Sequence, residues 1–321
     1  MLTSRTQIPA EVNNVYDRAL LERAVALFVH MKWGQTKDVG SNAGTDTIKF
    51  RRYANLNPAT TALTEGITPA GNQLSQSVLT AQVQYYGDYV VLTDKLQYET
   101  LDPVLTETAE ILGDQAGDTL DQLTRDVLSA GTNVLRVNNR AGIANIVATD
   151  IIDAVSLRKA IRTLKNGKAK PISKMVDAST GFATSPIAPA YVAIVHPNTV
   201  FSLSKLPGFI PVENYANKSG LMEGEVGKFE QIRFVESTNA KVFAGQGSGG
   251  IDVYGTLILG ANAYGLTRLS GKAMQNIVKP LGSGGSLDPL NQRATSGWKA
   301  TFVAKILNDD YMVRVEHAVE S

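Results

Sequence analysis

A stretch of 22 residues without helical or strand periodicity, residues 55–76, is the feature that most constrains the fold of this chain. It contains Asn57-Pro58, Gly66 and Pro69, which disfavour regular structure. Connections inside compact domains have a median length of about 4–6 residues. A stretch this long is therefore expected either to lack order or to be ordered by contact with another molecule.

Strand patterns flank this stretch on both sides. Residues 45–54 place Ile48 and Phe50 on one face of a strand, and residues 77–93 are rich in valine, tyrosine and threonine. The two strands predict a long projecting hairpin. Because an isolated two-stranded ribbon is only marginally stable in water, the hairpin is expected to lie on a partner molecule.

Residues 103–129 carry the clearest helical pattern in the chain. Asp102 can cap this helix, Pro103 suits its first position and Gly131 can end it. One stripe of the helix is apolar and consists of Leu105, Ala109, Leu112, Ala116, Leu120, Leu123 and Val127. The opposite stripe is acidic and consists of Glu107, Glu110, Asp114, Asp118 and Asp121. A helix of this length extends about 40 Å and can serve as a strut.

The acidic stripe has two interpretations. An acidic face opposite an apolar one is commonly solvated. The alternative is electrostatic docking of this stripe against Arg51 and Arg52, on the hairpin of a neighbouring subunit. Because an exposed ion pair contributes about 0–1 kcal/mol, such pairs would fix the register of two subunits rather than supply affinity.

The rest of the chain mixes helices and strands. A helix is predicted over residues 10–33, packing either on its own subunit or on a neighbour, and another over residues 150–165. Strands and short helices follow between residues 191 and 259, and two strands over 298–307 and 311–319 close the chain. The pattern predicts an α+β fold.

Composition excludes several classes of protein. Cysteine is absent, which removes disulfides, thiolate metal sites and cysteine nucleophiles. The net charge of +1 lacks the basic excess that is usual in nucleic-acid-binding modules. No stretch approaches the ~18 apolar residues that span a bilayer, and no signal peptide pattern begins the sequence, so we expect no membrane partner. The charged fraction of 19% favours a surface partly covered by other subunits.

The sequence contains no convincing motif for catalysis, cofactor binding or metal binding. Residues 245–250 match GxGxxG, but a strand pattern follows where dinucleotide binding requires a helix, so a surface turn is predicted. The histidines His30, His196 and His317 lie far apart and lack metal-ligand spacing, and His196 precedes Pro197 at a predicted helix start. We therefore expect no cofactor, no metal and no enzymatic activity.

Ten short blocks occur in order along the chain. The first six are LNPATT (56–61), LTEG (63–66), YGDY (86–89), DPV (102–104), LTRDV (123–127) and AGTN (130–133). The last four are RFVE (233–236), VKPLG (278–282), DPLNQR (288–293) and GWKATF (297–302). Together they resemble the major capsid proteins of tailed bacteriophages, in the branch with short N-termini. No block is a chemical motif, so the resemblance depends on their number and order.

The resemblance implies the Hong-Kong-97-type capsid fold, an α+β fold with four parts. They are an N-terminal arm (1–42), an extended β-hairpin loop (43–98), a peripheral domain with a long spine helix (99–148 and 265–308) and an axial domain (149–264 and 309–321). Two departures from family patterns are visible. Residues 53–94 contain no lysine for the isopeptide bond that joins subunits in some shells. We also expect no long N-terminal scaffolding segment, so assembly would need a separate scaffold or none.

The function implied by the resemblance is that of a major capsid protein, which self-assembles as hexamers and pentamers into the icosahedral head around double-stranded phage DNA. Its location would be the virion capsid, with assembly in the host cytoplasm. Its partners would be other copies, a portal and packaged DNA in non-specific contact, with or without a scaffold or cement protein.

Contacts between subunits are expected at three segments, residues 12–28, 56–76 and 245–250. The individual residues expected in such contacts are Arg51, Arg52, Glu65, Glu107, Glu110, Asp114 and Asp118. Two other functions stay open. One is an encapsulin-like compartment with the same fold and a different cargo, and the other is a soluble α+β enzyme with a polar site that no motif reveals.

Overall fold

The computed structural model describes residues 28–38, 47–53, 56, 58–62, 65–66, 68, 71–99, 104–172, 189–215, 221–269, 274–283 and 288–320. The helix predicted over residues 10–33 lies outside the described residues up to residue 27, as do Asp102 and Pro103. Residues 29–34 form bends and turns, so the prediction of a helix is wrong for this part of the segment.

Four α-helices occur within these residues: α1 (Asp94–Glu99), α2 (Val104–Ser129), α3 (Ala154–Asn166) and α4 (Pro197–Ser204). The predicted long helix is confirmed as α2, and the helix predicted over 150–165 is confirmed as α3 with a later start. That start is later because the Asp153 carboxylate accepts a hydrogen bond from the backbone N–H of Ser156 (2.9 Å) and caps the helix there. His196 caps α4 in the same way, by accepting from the N–H of Asn198 (3.2 Å).

Sixteen strands are described. In chain order they are β1 (Gln35–Lys37), β2 (Thr47–Tyr53), β3 (Gln76–Gln82), β4 (Gln84–Thr93), β5 (Val134–Arg136), β6 (Tyr191–Val195), β7 (Phe209–Pro211), β8 (Glu225–Phe229), β9 (Ile232–Glu236), β10 (Val242–Phe243), β11 (Val253–Leu259), β12 (Tyr264–Thr267), β13 (Met274–Lys279), β14 (Arg293–Phe302), β15 (Ala304–Ile306) and β16 (Met312–His317). The largest sheet has eight strands, in the order β5–β16–β11–β6–β9–β8–β7 with β10 beside β11. Two three-stranded sheets, β13–β14–β4 and β1–β12–β15, and the ribbon β2–β3 complete the architecture.

The single strand predicted over residues 77–93 is divided between two sheets, and this corrects the prediction. β3 pairs with β2 in the hairpin, whereas β4 pairs with β14 over ten residues, from Gln84 opposite Phe302 to Thr93 opposite Arg293. The division falls at Val83, which is buried in the small core of the hairpin base. The two halves have equal strand propensity, so only their long-range partners separate them.

The predicted strand over 298–307 is also divided. The backbone N–H of Val303 donates to the Thr267 hydroxyl (3.0 Å), and the Val303 carbonyl accepts from the N–H of Thr267 (3.1 Å). These two bonds take Val303 out of the ladder between β14 and β4. The chain then continues as β15 in the sheet with β12.

The apolar stripe of α2 packs in one of the two large core clusters of the described residues. Leu112, Ala116, Leu120 and Leu128 are buried on this helix. They share one cluster with Ile194, Leu257, Leu259 and Met312 of the eight-stranded sheet and with Trp298, Ala300 and Phe302 of β14. One helix therefore joins the two sheets into one packed unit.

The two long helices cover opposite faces of the eight-stranded sheet. Leu257 and Leu259 on β11 pack in the cluster that contains α2, whereas Ile258 between them packs with Leu157 and Leu164 of α3. Because successive residues of a strand point to opposite faces, the sheet is buried on both sides.

Asp121 lies on α2 but does not belong to a solvated acidic stripe, which corrects that part of the interpretation. Its side chain is fully buried, and it accepts hydrogen bonds from the backbone N–H groups of Val29 (2.9 Å) and His30 (2.7 Å). Its second oxygen lies 2.7 Å from Nδ1 of the buried His30. The hydroxyl of Tyr264 donates to the His30 carbonyl. These bonds fix residues 29–30 against α2.

We predict that Asp121→Ala lowers the free energy of unfolding by about 3 to 5 kcal/mol, because it leaves a buried imidazole and two buried N–H groups without an acceptor. The measurement is urea unfolding of the dispersed subunit. Glu107→Ala on the exposed side of the same helix is the matched control and should change stability by less than about 0.5 kcal/mol. Equal effects of the two substitutions would contradict the anchoring role of Asp121.

His317, the last residue of β16, is a buried neutral histidine. Its Nδ1 lies 2.8 Å from the carbonyl oxygen of Ala318, so Nδ1 carries the proton, and its Nε2 lies 3.0 Å from the Thr256 hydroxyl and accepts from it. Burial lowers the pKa of His317 to about 4, although the bond to the Ala318 carbonyl opposes the shift. A folded-state pKa below the ordinary value near 6.5 means that acid destabilises the fold through this residue.

His317 should therefore contribute stability that is complete above about pH 6.5 and is lost as the pH falls towards 4, a loss of about 3 kcal/mol. We predict that His317→Gln removes this part of the acid sensitivity. Unfolding free energies of both proteins at pH 7 and pH 4 provide the comparison, in which carboxylates that titrate over the same range contribute equally. The same loss of stability in both proteins would show that His317 does not titrate in this way.

Candidate subunit interface

The base of the predicted hairpin is fixed to its own subunit. β2 and β3 pair in antiparallel register, from Thr47 opposite Gln82 to Tyr53 opposite Gln76. Ile48, Phe50 and Ala81 form a small buried cluster with Val83, and Val303 and Leu307 of the body pack against it. The strands predicted on both sides of the long stretch are thus confirmed, and their attachment orients the tip.

The tip of the hairpin has no such attachment. Every described residue between 56 and 75 is exposed, including the apolar Leu56 (52%) and Leu74 (67%). Glu65 lies in a turn in this segment and is exposed as well. The described tip therefore buries none of its side chains against the subunit that carries it.

The sheet β13–β14–β4 has one packed face and one open face. On the packed face, the Gln115 side chain of α2 accepts from Trp298 Nε1 (3.1 Å) and donates to Asp88 (2.7 Å). The hydrogen bond from Gln115, together with the backbone N–H of Tyr89, lowers the pKa of Asp88. The open face carries exposed apolar side chains, namely Tyr85 (64%), Tyr89 (66%), Val91 (48%) and Ile277 (43%).

A groove of about 770 Å³ runs over this open face between Tyr85, Tyr89 and Ile277. Gly87 and Gly297 form its floor. A Cβ atom at Gly297 would lie 2.6 Å from Cβ of Tyr89, and one at Gly87 would lie 2.5 Å from the Trp298 carbonyl oxygen. Only glycine fits at these two positions, of which Gly87 is exposed and Gly297 is buried against Tyr89.

The groove has a cationic rim, which we define as Lys279, Arg293 and Lys299. All three are exposed, and none forms an ion pair within the part of the chain that the structure describes. Nζ of Lys299 lies 4.9 Å from the centre of the Tyr85 ring. Two carboxylates, Asp88 and Asp288, line the same groove. Asp288 accepts from the backbone N–H groups of Gln292 (3.1 Å) and Arg293 (2.8 Å) and holds the turn that precedes β14.

The basic residues predicted at the interface lie on β2. Arg51 is exposed beside a small cavity that Asn262 and Tyr311 also line, and the side chain of Arg52 lies outside the described parts of the chain. The acidic residues predicted with them lie on α2, where Glu107 is exposed and Glu110 and Asp114 are half-buried.

Asp118 is half-buried on α2 and is already engaged within the subunit. It accepts from the side-chain amides of Gln122 (2.8 Å) and Asn239 (2.5 Å). A role for these residues between subunits stays a prediction.

The glycine-rich segment that matches the dinucleotide-binding pattern has a structural role. Residues 245–250 form the turn between β10 and β11, with positive φ at Gly245, Gly249 and Gly250, and no helix follows. The prediction of a turn is therefore confirmed. The described residues contain no group of three or more potential metal ligands, and none of their helices is long and apolar enough to cross a membrane.

The groove is the feature that sequence reasoning missed. Its signal is the alternation of Tyr85, Gly87, Tyr89 and Val91, which puts two aromatic rings and a glycine on one face of a strand. That face is open because α2 packs on the other one, and the position of α2 depends on tertiary contacts that a local sequence pattern does not reveal.

Comparison with known proteins gives the architecture a family. A family model described as a phage capsid protein matches residues 75–315, about three quarters of the chain. No curated protein matches the sequence.

Solved phage capsids share the fold at low sequence identity. The capsid of Ralstonia phage GP4 is 14% identical with a TM-score of 0.72, and the match covers 90% of this chain and 87% of that one. The head structure of Helicobacter pylori bacteriophage KHP40 is 12% identical with a TM-score of 0.64, covering 92% and 90%. The cyanophage Pam1 capsid is 14% identical with a TM-score of 0.61, covering 92% of each chain.

The predicted Hong-Kong-97-type α+β fold is confirmed by these structures. The family match begins just before β3, includes α2 and ends within β16. A role as structural subunit of a multimeric shell also accounts for the exposed apolar tip and the open sheet face of this chain. The chain belongs to the phage capsid protein family, and it is a major capsid protein that forms the bacteriophage head.

Proposed function

We propose that this subunit assembles as hexamers and pentamers into a closed icosahedral shell around double-stranded DNA, and that the tip of its hairpin lies on a neighbouring subunit. The observation that carries this proposal is that every described residue between 56 and 75 is exposed while the hairpin base is packed. A rigid base directs the tip away from its own core. A neighbouring copy can then bury Leu56 and Leu74.

Each contact in such a shell is modest, and repetition makes the assembly stable. Interfaces below about 1,200 Å² are typical of weak pairs, but closed symmetry lets each subunit make several of them at once. Residues 53–94 contain no lysine, so the hairpin acts without an isopeptide bond from this segment. The tip is therefore expected to contribute non-covalent contacts to the shell.

The domain division follows from the same proposal. Residues 99–148 and 265–308 act as the peripheral domain, and residues 149–264 and 309–321 act as the axial domain around the symmetry axes. Within the arm, residues 12–28 run along a neighbour's edge as far as Phe28, which is itself buried in the core of its own subunit. In support, residues 29–30 are tied to Asp121, which gives the arm a fixed point of departure.

Charged residues of two neighbouring subunits fix the register of their contact. Arg51 and Arg52 of one copy meet the acidic face of α2 in another, where Glu107 is the most open carboxylate and Glu110 and Asp114 lie beside it. Asp118 contributes less, because its carboxylate is occupied by Gln122 and Asn239.

The finished head contains further partners. A portal occupies one vertex, a scaffold or cement protein assists assembly in the host cytoplasm, and packaged DNA touches the inner surface without sequence preference. The nucleic-acid content of purified particles tests the last point and separates a phage head from a compartment with a protein cargo.

We predict that replacing residues 57–75 by a short Gly-Ser turn leaves a folded subunit that does not form shells. The base strands keep their register because their core lies in β2, β3 and the body. Circular dichroism and thermal unfolding report the fold, and negative-stain electron microscopy reports shells.

A second variant carries a Gly-Ser segment of the full original length, which separates the loop's side chains from its reach. We expect this variant also to lose assembly, because its tip has no apolar or charged groups to bury. Shells of normal size and yield from either variant would refute the role of the hairpin.

A further inference from the structure

We propose that His196 is a pH-sensitive cap of α4. The neutral imidazole holds the first turn of this helix, and protonation draws the ring to Glu236 and releases that turn. This inference goes beyond the proposed function, because it concerns the subunit itself. Its test uses the dispersed subunit, so a negative result would leave the shell function standing.

The start of α4 takes all its acceptors from one residue. The backbone carbonyl of His196 accepts from the N–H groups of Thr199 (2.9 Å) and Val200 (3.3 Å). Its Nδ1 accepts from the N–H of Asn198 (3.2 Å). Pro197, the first residue of the helix, has no N–H to satisfy. The imidazole therefore satisfies the one N–H of the first turn that the carbonyl does not reach.

Only the neutral ring of His196 can act as this cap. Nδ1 accepts a hydrogen bond only while it carries no proton, because both ring nitrogens of an imidazolium are donors. Protonation also places a positive charge at the N-terminus of α4, where the helix dipole favours negative charge. Both effects of protonation therefore act against the first turn.

The groups that face the ring come from three strands and from α4 itself. Glu236 ends β9, which pairs with β6, and it is exposed and forms no ion pair among the described residues. The Tyr254 ring of β11 lies 5.2 Å away between centroids, and its hydroxyl accepts from the side-chain amide of Asn198 (2.9 Å). His317 of β16 lies beyond Tyr254, at 6.4 Å from that ring. Glu236 is thus the carboxylate that can pair with a protonated His196.

Two opposing influences set the titration of the cap. Burial lowers the pKa of His196, and the nearby Glu236 carboxylate opposes this shift. A folded-state pKa below the ordinary value near 6.5 means that the stability from the cap is complete above about pH 6.5. It is lost as the pH falls through the lower folded-state value. His317 titrates later, because its pKa is about 4.

Release of α4 would change a surface of the subunit. The helix exposes Phe201 (54%), and at its end Lys205 pairs with Glu320 (2.7 Å) near the C-terminus. These residues belong to the segments that the proposed function assigns to the axial domain. Acid would therefore alter a surface that is available to other copies before it unfolds the core.

Hydrogen–deuterium exchange of the dispersed subunit at pH 7.5 and pH 5 tests the cap, with each rate divided by the intrinsic rate of an unstructured amide. In the wild-type chain, the open fraction at residues 198–201 should rise about fivefold in acid, the factor that the loss of one N-cap produces. His196→Asn supplies a cap that cannot be protonated and should rise by less than about twofold. His196→Ala should show the raised exchange already at pH 7.5.

Three controls accompany these variants. The start of α3, which Asp153 caps, should not respond to the same change of pH. His317→Gln should keep the wild-type response at α4. Glu236→Gln removes the charge that favours the imidazolium and should move the midpoint of the response to lower pH. Far-ultraviolet circular dichroism at pH 7.5 checks that each variant is folded.

Several results would overturn the proposal. One is an acid response of the same size in His196→Asn and in the wild-type chain. Another is a response of the same size at α3 and at α4, which would indicate general loosening of the subunit. The absence of any response in the wild-type chain would overturn it as well. A midpoint that does not fall in Glu236→Gln would remove Glu236 from the switch.

Discussion

The apolar stripe of α2 is the constraint on which the rest of this subunit depends. One helix of 26 residues touches the eight-stranded sheet through Leu257 and Leu259 and touches β14 through Trp298 and Phe302. Fully burying one such side chain is worth about 1.5–3 kcal/mol. Without this stripe, the two sheets would have no common core. The buried carboxylate of Asp121 then adds the end of the arm to the same helix.

This packing also determines which apolar surfaces of the subunit stay exposed. Because α2 covers one face of β13–β14–β4, the other face is open, with two exposed tyrosines on either side of the exposed Gly87. Because the hairpin base packs on Val303 and Leu307, its tip is held away from the core. A monomeric protein rarely exposes such apolar surface without a partner. Both exposed surfaces follow from one arrangement, and we propose that neighbouring copies in the shell cover them.

The sequence predicted the elements whose pattern is local. The 3.6-residue period of Leu112, Ala116 and Leu120 defined α2 almost to its ends, and the turn chemistry of residues 245–250 excluded a dinucleotide site. It did not predict that Val83 divides a strand, because both halves have the same strand propensity. The halves differ only in their pairing partners, β2 and β14, which lie more than a hundred residues apart in the sequence. Asp121 was misjudged for the same reason, since its partner His30 lies 91 positions away. The groove was missed because an exposed face is defined by what packs behind it.

Electron cryomicroscopy of shells assembled from the wild-type chain tests the central claim most directly, because it locates residues 56–75 in the assembled state. We predict continuous density for this segment on the surface of an adjacent copy, which buries Leu56 and Leu74. Density that packs the segment onto the subunit that carries it would contradict this prediction.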